Sequence, residues 1–253
     1  MNRKNLSELM AEGVREAILA GAWKAGDALP TEPELADRYG VSRAVVRDGT
    51  RLLAAWGLVE SRQGKGVFVT QNQDEGFAEA LLLALRRNGA SVWDVESAEA
   101  HLLPEAVAMA AKRSGQIHFE DLELLRDEYL MALEQANRDG DGRGFRLPWL
   151  ALVDALYRAS GNAVFQILGP AVARSRQHRH FEDLEEMSVD EQVERERKIL
   201  NQILDGIRSG NEDEAREIAQ RVMSLGEEAQ QLLITFPVGE VPRIPTELLI
   251  HKR

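Results

Sequence analysis

Three arginines repeat at every fourth position in one stretch of the chain: Arg43, Arg47 and Arg51. Residues four apart share one face of an α-helix, so a helix here presents three guanidinium groups side by side. Guanidinium groups bind phosphate oxygens and the hydrogen-bonding edges of bases. A basic, glycine-rich turn follows at residues 62–66 (RQGKG), and its lysine and exposed amides suit phosphates as well. Together these features predict a surface that binds a nucleic-acid duplex.

Local signals predict the elements that hold this surface. Thr31 is a capping residue for a first helix, and Glu34 is its reciprocal partner. Gly40 ends that helix, and Ser42 caps a second one that runs to about Trp56. Two helices joined by so short a turn, the second rich in arginine, form the helix-turn-helix pattern.

The second helix has an apolar side and is followed by a hairpin. Its apolar side consists of Val45, Val46, Leu52 and Leu53. Gly57 ends the helix, and residues 58–61 and 67–69 are two predicted strands joined by the basic turn, as in a wing. The alternative is an amphipathic helix with a solvated arginine face and an ordinary hairpin. Helix, turn, arginine helix and basic hairpin occurring in that order favour the nucleic-acid interpretation.

The same stretch resembles a known family. Residues 23–32 (WKAGDALPTE), 40–43 (GVSR), 46–47 (VR), 57–59 (GLV) and 64–66 (GKG) are similar to the winged helix of GntR-family transcription regulators, over residues 8–70. The resemblance implies that the two arginines at the start of the second helix contact base edges and phosphates, and that the wing tip probes the minor groove. With two basic residues added from the pattern, the predicted DNA-binding set is Ser42, Arg43, Ala44, Arg47, Arg51, Gln63, Gly64 and Lys65. The family usually has an arginine where this chain has Pro33, so its operator sequence is expected to differ from the family norm.

Composition and charge limit the remaining function classes. The 253 residues include no cysteine, which excludes disulfides and thiolate metal sites. No apolar run approaches the length of a membrane helix, and a cytoplasmic location without a membrane partner is expected. Residues 1–70 carry ten Lys/Arg and nine Asp/Glu, whereas residues 71–253 carry 21 and 33. The net charge of -11 therefore belongs to the second part of the chain, and DNA binding should depend on a few phosphate contacts and on salt.

The predicted fold is mainly α, with an N-terminal winged helix-turn-helix and a C-terminal all-helical bundle of about seven helices. The polar segment 71–76 (QNQDEG) is predicted to link a DNA-binding domain at 1–70 to the bundle at 77–235, and the proline-containing segment 236–253 is predicted to be an extended tail. Glycine-, serine- and asparagine-rich breaks and apolar residues three and four apart define the helices. The predicted helical segments are 77–88, 92–113, 118–138, 146–159, 163–181, 188–209 and 211–235.

The second part resembles the FCD effector domain of the FadR-like GntR subfamily. The resemblance is carried by Leu156, by residues 159–162 (ASGN) and by residues 203–217 (ILDGIRSGNEDEARE). In most such domains one aspartate and three histidines hold a divalent metal, and the metal binds a carboxylate effector. By spacing, the matching positions here are Trp149, Val153, Leu200 and Val222, none of which can ligate a metal. An arginine that often accompanies the site is replaced by Glu99.

The histidines of the chain support the absence of that metal site. They are His101, His118, His178, His180 and His251. Only His178 and His180 are close, and a two-residue step points them to different faces of a helix. A solvated basic patch is one interpretation of residues 174–181 (RSRQHRHF), and contacts to an acidic ligand head are the other. The candidate ligand-binding set is Trp149, Val153, Asn162, Arg174, Arg176, His178 and His180, with no metal and no cofactor.

These observations lead to a functional hypothesis. Two copies bind a palindromic operator, and an effector in the bundle changes operator affinity. Within the subfamily, the fatty-acid regulator that binds acyl-coenzyme A also lacks the metal ligands, so a fatty acyl-CoA or another hydrophobic acid is the first candidate. A small organic or sugar acid, and a core that binds no ligand, are the alternatives. An enzyme is not expected, because no phosphate-binding glycine loop or catalytic arrangement is present, and a protein-binding winged helix is the third possibility.

Overall fold

The computed structural model describes residues 5–70, 73–140, 144–176, 180–181, 188–239 and 243–244. They divide into two compact units, residues 1–77 and residues 78–253. Within the described residues the fold is mainly helical with a small hairpin, which confirms the predicted fold class. No helix in this part of the chain is both long and apolar enough to cross a bilayer.

The first unit contains three helices and the hairpin. The elements are α1 (Leu6–Leu19), α2 (Glu32–Tyr39), α3 (Arg43–Ala55), β1 (Val59–Arg62) and β2 (Gly66–Val69). Its core forms because α1 packs across α3, with Met10 and Val14 against the inner face that contains Val46 and Leu53. The strands are antiparallel, with Val59 opposite Val69 and Arg62 opposite Gly66.

The second unit is a helical bundle. Its elements are α4 (Gln73–Arg87, which begins in the first unit), α5 (Val92–Lys112), a single 3₁₀ turn (Ser114–Gln116), α6 (Phe119–Asp139), α7 (Arg146–Ala159), α8 (Ala163–Ser175), β3 (His180–Phe181), α9 (Val189–Ser209), α10 (Glu212–Met223), α11 (Glu227–Ile234) and β4 (Arg243–Ile244). Helix α5 lies at the centre and contacts α7, α8, α9, α10 and α11. Its closest neighbour is α10, because buried alanines such as Ala106 and Ala219 let the two helices pack tightly. The short strands β3 and β4 are parallel.

The helix boundaries differ from the predicted ones at three places. Helix α4 begins at Gln73, inside the segment predicted to be a linker. Helix α8 ends at Ser175, not at residue 181, because the backbone becomes extended at Arg176. The predicted helix 211–235 is two helices, since the backbone is extended at Ser224 and again at Gly226, which caps α11.

Candidate nucleic-acid interface and the interior of the bundle

Helix α3 is placed by a short turn with well-formed caps. Gly40 ends α2 with a φ of 65°, a left-handed conformation that glycine adopts without strain. Ser42 then caps α3 by accepting a hydrogen bond from the amide of Val45 at 3.3 Å. At the start of α2, Glu34 accepts hydrogen bonds from the amide and the hydroxyl of Thr31, at 2.7 and 2.8 Å. These contacts confirm the predicted caps of α2 and α3.

The two faces of α3 differ completely in exposure. Val46 and Leu53 are fully buried against the core of the first unit. Arg43, Arg47 and Arg51 are exposed on the other side, and Ser42 and Ala44 are exposed at its start. The helix therefore presents a continuous guanidinium face to solvent.

Two of the three arginines have an acidic neighbour. Arg47 Nε lies 3.2 Å from Glu32 Oε2, so this ion pair joins α3 to α2. Arg51 Nη1 lies 3.0 Å from Asp48 Oδ1, one turn away on the same helix. Arg43 forms no ion pair with any residue that the structure describes. Sequence reasoning did not find Glu32, because an ion pair between two helices leaves no local pattern.

The hairpin turn presents a basic tip. Gly64 and Gly66 have φ values of 70° and 108°, and the amide of Lys65 donates a hydrogen bond to the carbonyl of Arg62 at 2.9 Å. Gln63, Gly64 and Lys65 are exposed at the tip. The guanidinium of Arg62 is held on the hairpin, 4.4 Å from the centre of the Phe68 ring, and takes no part in the tip. The side chain of Lys65 is therefore exposed to an anionic partner.

In the second unit, the four positions that correspond to metal ligands lie in apolar packing. Val153 is buried, and Trp149, Leu200 and Val222 are partly buried against core clusters. Their side chains offer no ligand for a metal, so the residues present do not fit a metal ion at these positions. Among the described residues no three His, Asp or Glu side chains lie close enough to hold one.

A charged cluster lies beside Trp149. Arg176, the residue after α8, reaches back to α5, where its Nε lies 3.1 Å from Glu96 Oε1 and its Nη1 lies 3.2 Å from Glu99 Oε2. The guanidinium also lies 5.4 Å from the centre of the Trp149 ring. Burial lowers the pKa of Arg176, but the charges of Glu99 and Glu96 more than offset this effect, so its pKa is raised. Because Arg176 is 16% exposed, the interpretation of residues 174–181 as a solvated patch is wrong for this residue.

The other candidate ligand-binding residues form local contacts. Arg174 forms a bidentate ion pair with Asp154, with Nη1 3.1 Å from Oδ1 and Nη2 2.6 Å from Oδ2. Asn162 caps α8 by accepting hydrogen bonds from the amides of Val164 and Phe165. His178 lies outside the described residues, and His180 belongs to β3, with no description of its side chain. The structure thus brings Trp149, Val153 and Arg176 into one region of the bundle.

Sequence reasoning missed Glu96. The usable signal was an acid pair three residues apart in a helix whose neighbouring positions, such as Val92, Val95 and Leu103, are buried and apolar. Two carboxylates on such a face require a cation from elsewhere in the fold.

Comparison with known proteins is consistent with this arrangement. Residues 6–69 match the family model of "Bacterial regulatory proteins, gntR family", and residues 94–225, about half of the chain, match the model of the FCD domain. The chain is 34% identical over 138 residues to the HTH-type transcriptional regulator Mce2R of Mycobacterium tuberculosis (53% of this chain, 56% of that protein). It is 26% identical over 132 residues to the Glc operon transcriptional activator of Escherichia coli (52% of each chain).

A shorter match and a structural match complete the comparison. The Mannosyl-D-glycerate transport/metabolism system repressor MngR of Escherichia coli is 42% identical over 73 residues (29% of this chain, 30% of that protein). The matches span about half or less of the length of these curated relatives. The solved structure of Streptococcus agalactiae GntR superposes with a TM-score of 0.61 at 23% identity, covering 86% of this chain and 96% of that one. This last similarity shows that the chain has the same fold as that protein.

Proposed function

This chain belongs to the GntR family of bacterial regulatory proteins and carries an FCD domain, and from that membership we propose that it regulates transcription as a homodimer on a palindromic operator. The observation that carries the proposal is the exposed guanidinium face of α3, supported from behind by Val46 and Leu53. A helix with such a face fits the major groove, where arginine reads guanine through two hydrogen bonds. No part of the proposal requires an enzyme activity.

Each predicted contact has a role in this proposal. Arg43 and Arg47 read base edges or phosphates, and Arg51 binds the backbone. Ser42 and Ala44 lie against the groove at the start of α3. The wing tip, Gln63, Gly64 and Lys65, reaches the adjacent minor groove and its phosphates. In a dimer, two copies of α3 would enter successive major grooves, about 34 Å apart on one side of the duplex.

The test begins with unbiased selection of duplexes from a random pool by the full chain at moderate ionic strength. The selected duplex is then titrated with wild type and with Arg43→Ala/Arg47→Ala. The double variant should lose its preference for the selected duplex. The matched control, Arg195→Ala/Lys198→Ala, removes two positive charges from exposed residues of α9 and should bind like wild type. The absence of any preferred duplex, or equal binding by both variants, would refute DNA recognition through α3.

We also propose that the second unit, including the predicted region 77–235, mediates dimerisation and binds an effector. A fatty acyl-CoA or another hydrophobic acid is supported by the apolar side chains at 149, 153, 200 and 222 and by the guanidinium of Arg176 beside Trp149. Because Glu96 and Glu99 already pair with Arg176, an acidic ligand head would have to displace a carboxylate. The effector shifts operator affinity only if it binds one arrangement of the dimer more tightly than another.

A small organic or sugar acid is the second candidate effector. It is supported by the name of the relative MngR, which refers to mannosyl-D-glycerate. Native mass spectrometry of the purified chain would show whether a ligand with the mass of an acyl-CoA or of a small organic or sugar acid co-purifies. Titration of the protein–duplex complex with a long-chain acyl-CoA, its free fatty acid and glycerate then compares the classes. If no compound changes duplex affinity at saturation, the effector proposal fails and DNA recognition remains.

A further inference from the structure

The ion pair between Glu32 and Arg47 carries an inference that rests on the proposed DNA-binding function. We propose that Glu32 is a specificity-determining residue: it competes with DNA phosphates for Arg47 and so weakens binding to duplexes that lack the operator. The ligand class is the phosphate backbone of double-stranded DNA, which Glu32 makes less attractive to Arg47 than a base edge.

The geometry of the pair leaves half of the guanidinium available. Glu32 approaches the Nε atom of Arg47, at 3.2 Å. Neither terminal nitrogen of Arg47 donates a hydrogen bond to any residue that the structure describes. These two nitrogens form the fork that arginine uses for an end-on pair of hydrogen bonds to a guanine edge. Base recognition is therefore compatible with the intact pair.

The pair is also accessible to a competing anion. The side chains of Arg47 and Glu32 are 59% and 44% exposed. A phosphate that approaches Arg47 meets a guanidinium whose charge is already partly balanced, and it lies close to a carboxylate of its own sign. Repulsion from the Glu32 carboxylate therefore weakens phosphate binding at Arg47, and it does so at every position along a duplex, whereas a base edge carries no net charge. An operator that offers a base edge to the free fork avoids the penalty.

Helix capping does not explain Glu32. At the start of α2 that task belongs to Glu34, whose hydrogen bonds from the hydroxyl and amide of Thr31 lower its pKa. The other acid on the guanidinium face, Asp48, pairs with Arg51 within α3. Among the described residues, Glu32 alone links the first helix of the motif to a predicted DNA-reading arginine.

The experiment uses the full chain and two duplexes of equal length, one selected by wild type from a random pool and one with the same bases scrambled. Dissociation constants are measured by fluorescence anisotropy over a range of salt concentrations. Glu32→Gln should bind the scrambled duplex about two- to fivefold more tightly than wild type does, the scale of one exposed ion pair. Binding to the selected duplex should change less, so the ratio of the two constants falls. The salt dependence on scrambled DNA should steepen by about 0.9, the value for one added phosphate contact.

Two comparisons separate this proposal from a general charge effect. Asp37→Asn makes the same change of charge on an exposed residue of α2 that forms no ion pair with the described residues. It should leave the ratio of the dissociation constants for scrambled and selected DNA unchanged. In an Arg47→Ala background, Glu32→Gln should no longer alter binding to scrambled DNA. An unchanged ratio in Glu32→Gln, an equal effect of Asp37→Asn, or an effect that persists without Arg47 would overturn the proposal. Since wild type has by then selected its duplex, such a result leaves the proposed function intact.

Discussion

Arg176 and Glu99 form an ion pair inside the second unit, with Nη1 of the arginine 3.2 Å from Oε2 of a glutamate that is fully buried. Glu96 adds a second carboxylate at 3.1 Å. One cation from the end of α8 thus pairs with two acids of α5. The contact between Arg176 and Glu96 joins residues 80 positions apart in the chain. Such a cluster is sensitive to the loss of one member, because the remaining charges stay buried.

The first prediction concerns Arg176→Met. The substitution leaves two buried carboxylates without this cation, so it should lower the free energy of unfolding by about 3–5 kcal/mol. Urea unfolding followed by circular dichroism at neutral pH measures the change. Adding Glu96→Gln and Glu99→Gln should recover at least half of the loss, since the acids are then neutral. Arg158→Met, on an exposed position of α7, is the control and should cost less than about 0.5 kcal/mol. A loss no larger than that of the control would contradict the structural importance of the cluster.

More of the structure could be predicted from the sequence in the first unit than in the second. In the first unit the caps at Thr31 and Ser42, the end at Gly40 and the arginine face of α3 are local features, readable from residues a few positions apart. They fix most of the fold there. The pair between Glu32 and Arg47 depends on how two helices cross, which no spacing reveals.

In the second unit the same reasoning found the helices but misjudged a charged segment. The run that begins at Arg174 looks solvated, yet Arg174 pairs with an acid of α7 and Arg176 with acids of α5. Helix α8 ends at Ser175 without a glycine or proline to mark the position, and the next residue, Arg176, pairs with acids of α5. The break before α11 did have a signal, Gly226, which the apolar periodicity on either side obscured.

The second prediction compares two buried tyrosines. The hydroxyl of Tyr157 is fully buried and forms no hydrogen bond to another described residue, and burial raises its pKa. Phenylalanine preserves the ring and removes a polar group, so Tyr157→Phe should leave the unfolding free energy equal or up to about 1 kcal/mol higher. Tyr129, whose hydroxyl donates to Glu196 Oε2 at 3.5 Å, should lose up to about 1 kcal/mol on the same change. Chemical unfolding of both variants provides the test. A cost above about 1 kcal/mol for Tyr157→Phe would mean that its hydroxyl has a polar partner in solution.

The third prediction concerns the cap of α5 and its dependence on pH. Ser91 donates hydrogen bonds from its amide and its hydroxyl to Asp94 Oδ2, both at 2.7 Å, and these bonds lower the pKa of Asp94 below its ordinary 3.8. Ionised Asp94 therefore favours the folded state above pH 3.8, and the contribution disappears as the pH falls through the lowered pKa. Ser91→Ala should cost about 1 kcal/mol near neutral pH.

Unfolding free energies measured from neutral pH down to about pH 2 give the second readout of this cap. The difference between wild type and Ser91→Ala should shrink at the acid end, because protonated Asp94 no longer gains from the hydroxyl hydrogen bond that the substitution removes. In Asp94→Asn the whole acid-dependent component should be absent, because this variant lacks the carboxylate that accepts both hydrogen bonds. A difference that stays constant over the whole range would show that the cap does not act through the charge of Asp94.

The fourth prediction explains a glycine in the middle of α3. Glycine in a helix interior costs about 1 kcal/mol relative to alanine, yet Gly49 lies in the middle of α3. A Cβ atom at this position would lie 2.8 Å from Met10 Cε and 3.0 Å from the carbonyl oxygen of Ser7. The methionine end can move, but the backbone of α1 cannot move without separating the two helices. Gly49 therefore permits the close crossing that holds the guanidinium face in place.

Gly49→Ala should accordingly lower the free energy of unfolding by about 1–3 kcal/mol, because overpacking exceeds the gain in helix propensity. Gly76 provides the matched control: it lies in α4, is exposed, and a Cβ there meets no atom within 4 Å. Gly76→Ala should stabilise the chain by up to about 1 kcal/mol. Thermal unfolding of the two variants tests this prediction. The same substitution, glycine to alanine, should lower the free energy of unfolding at position 49 and raise it at position 76. If Gly49→Ala stabilises the chain as well, the contact between α1 and α3 is looser than described, and the rigid support proposed for the arginine face fails with it.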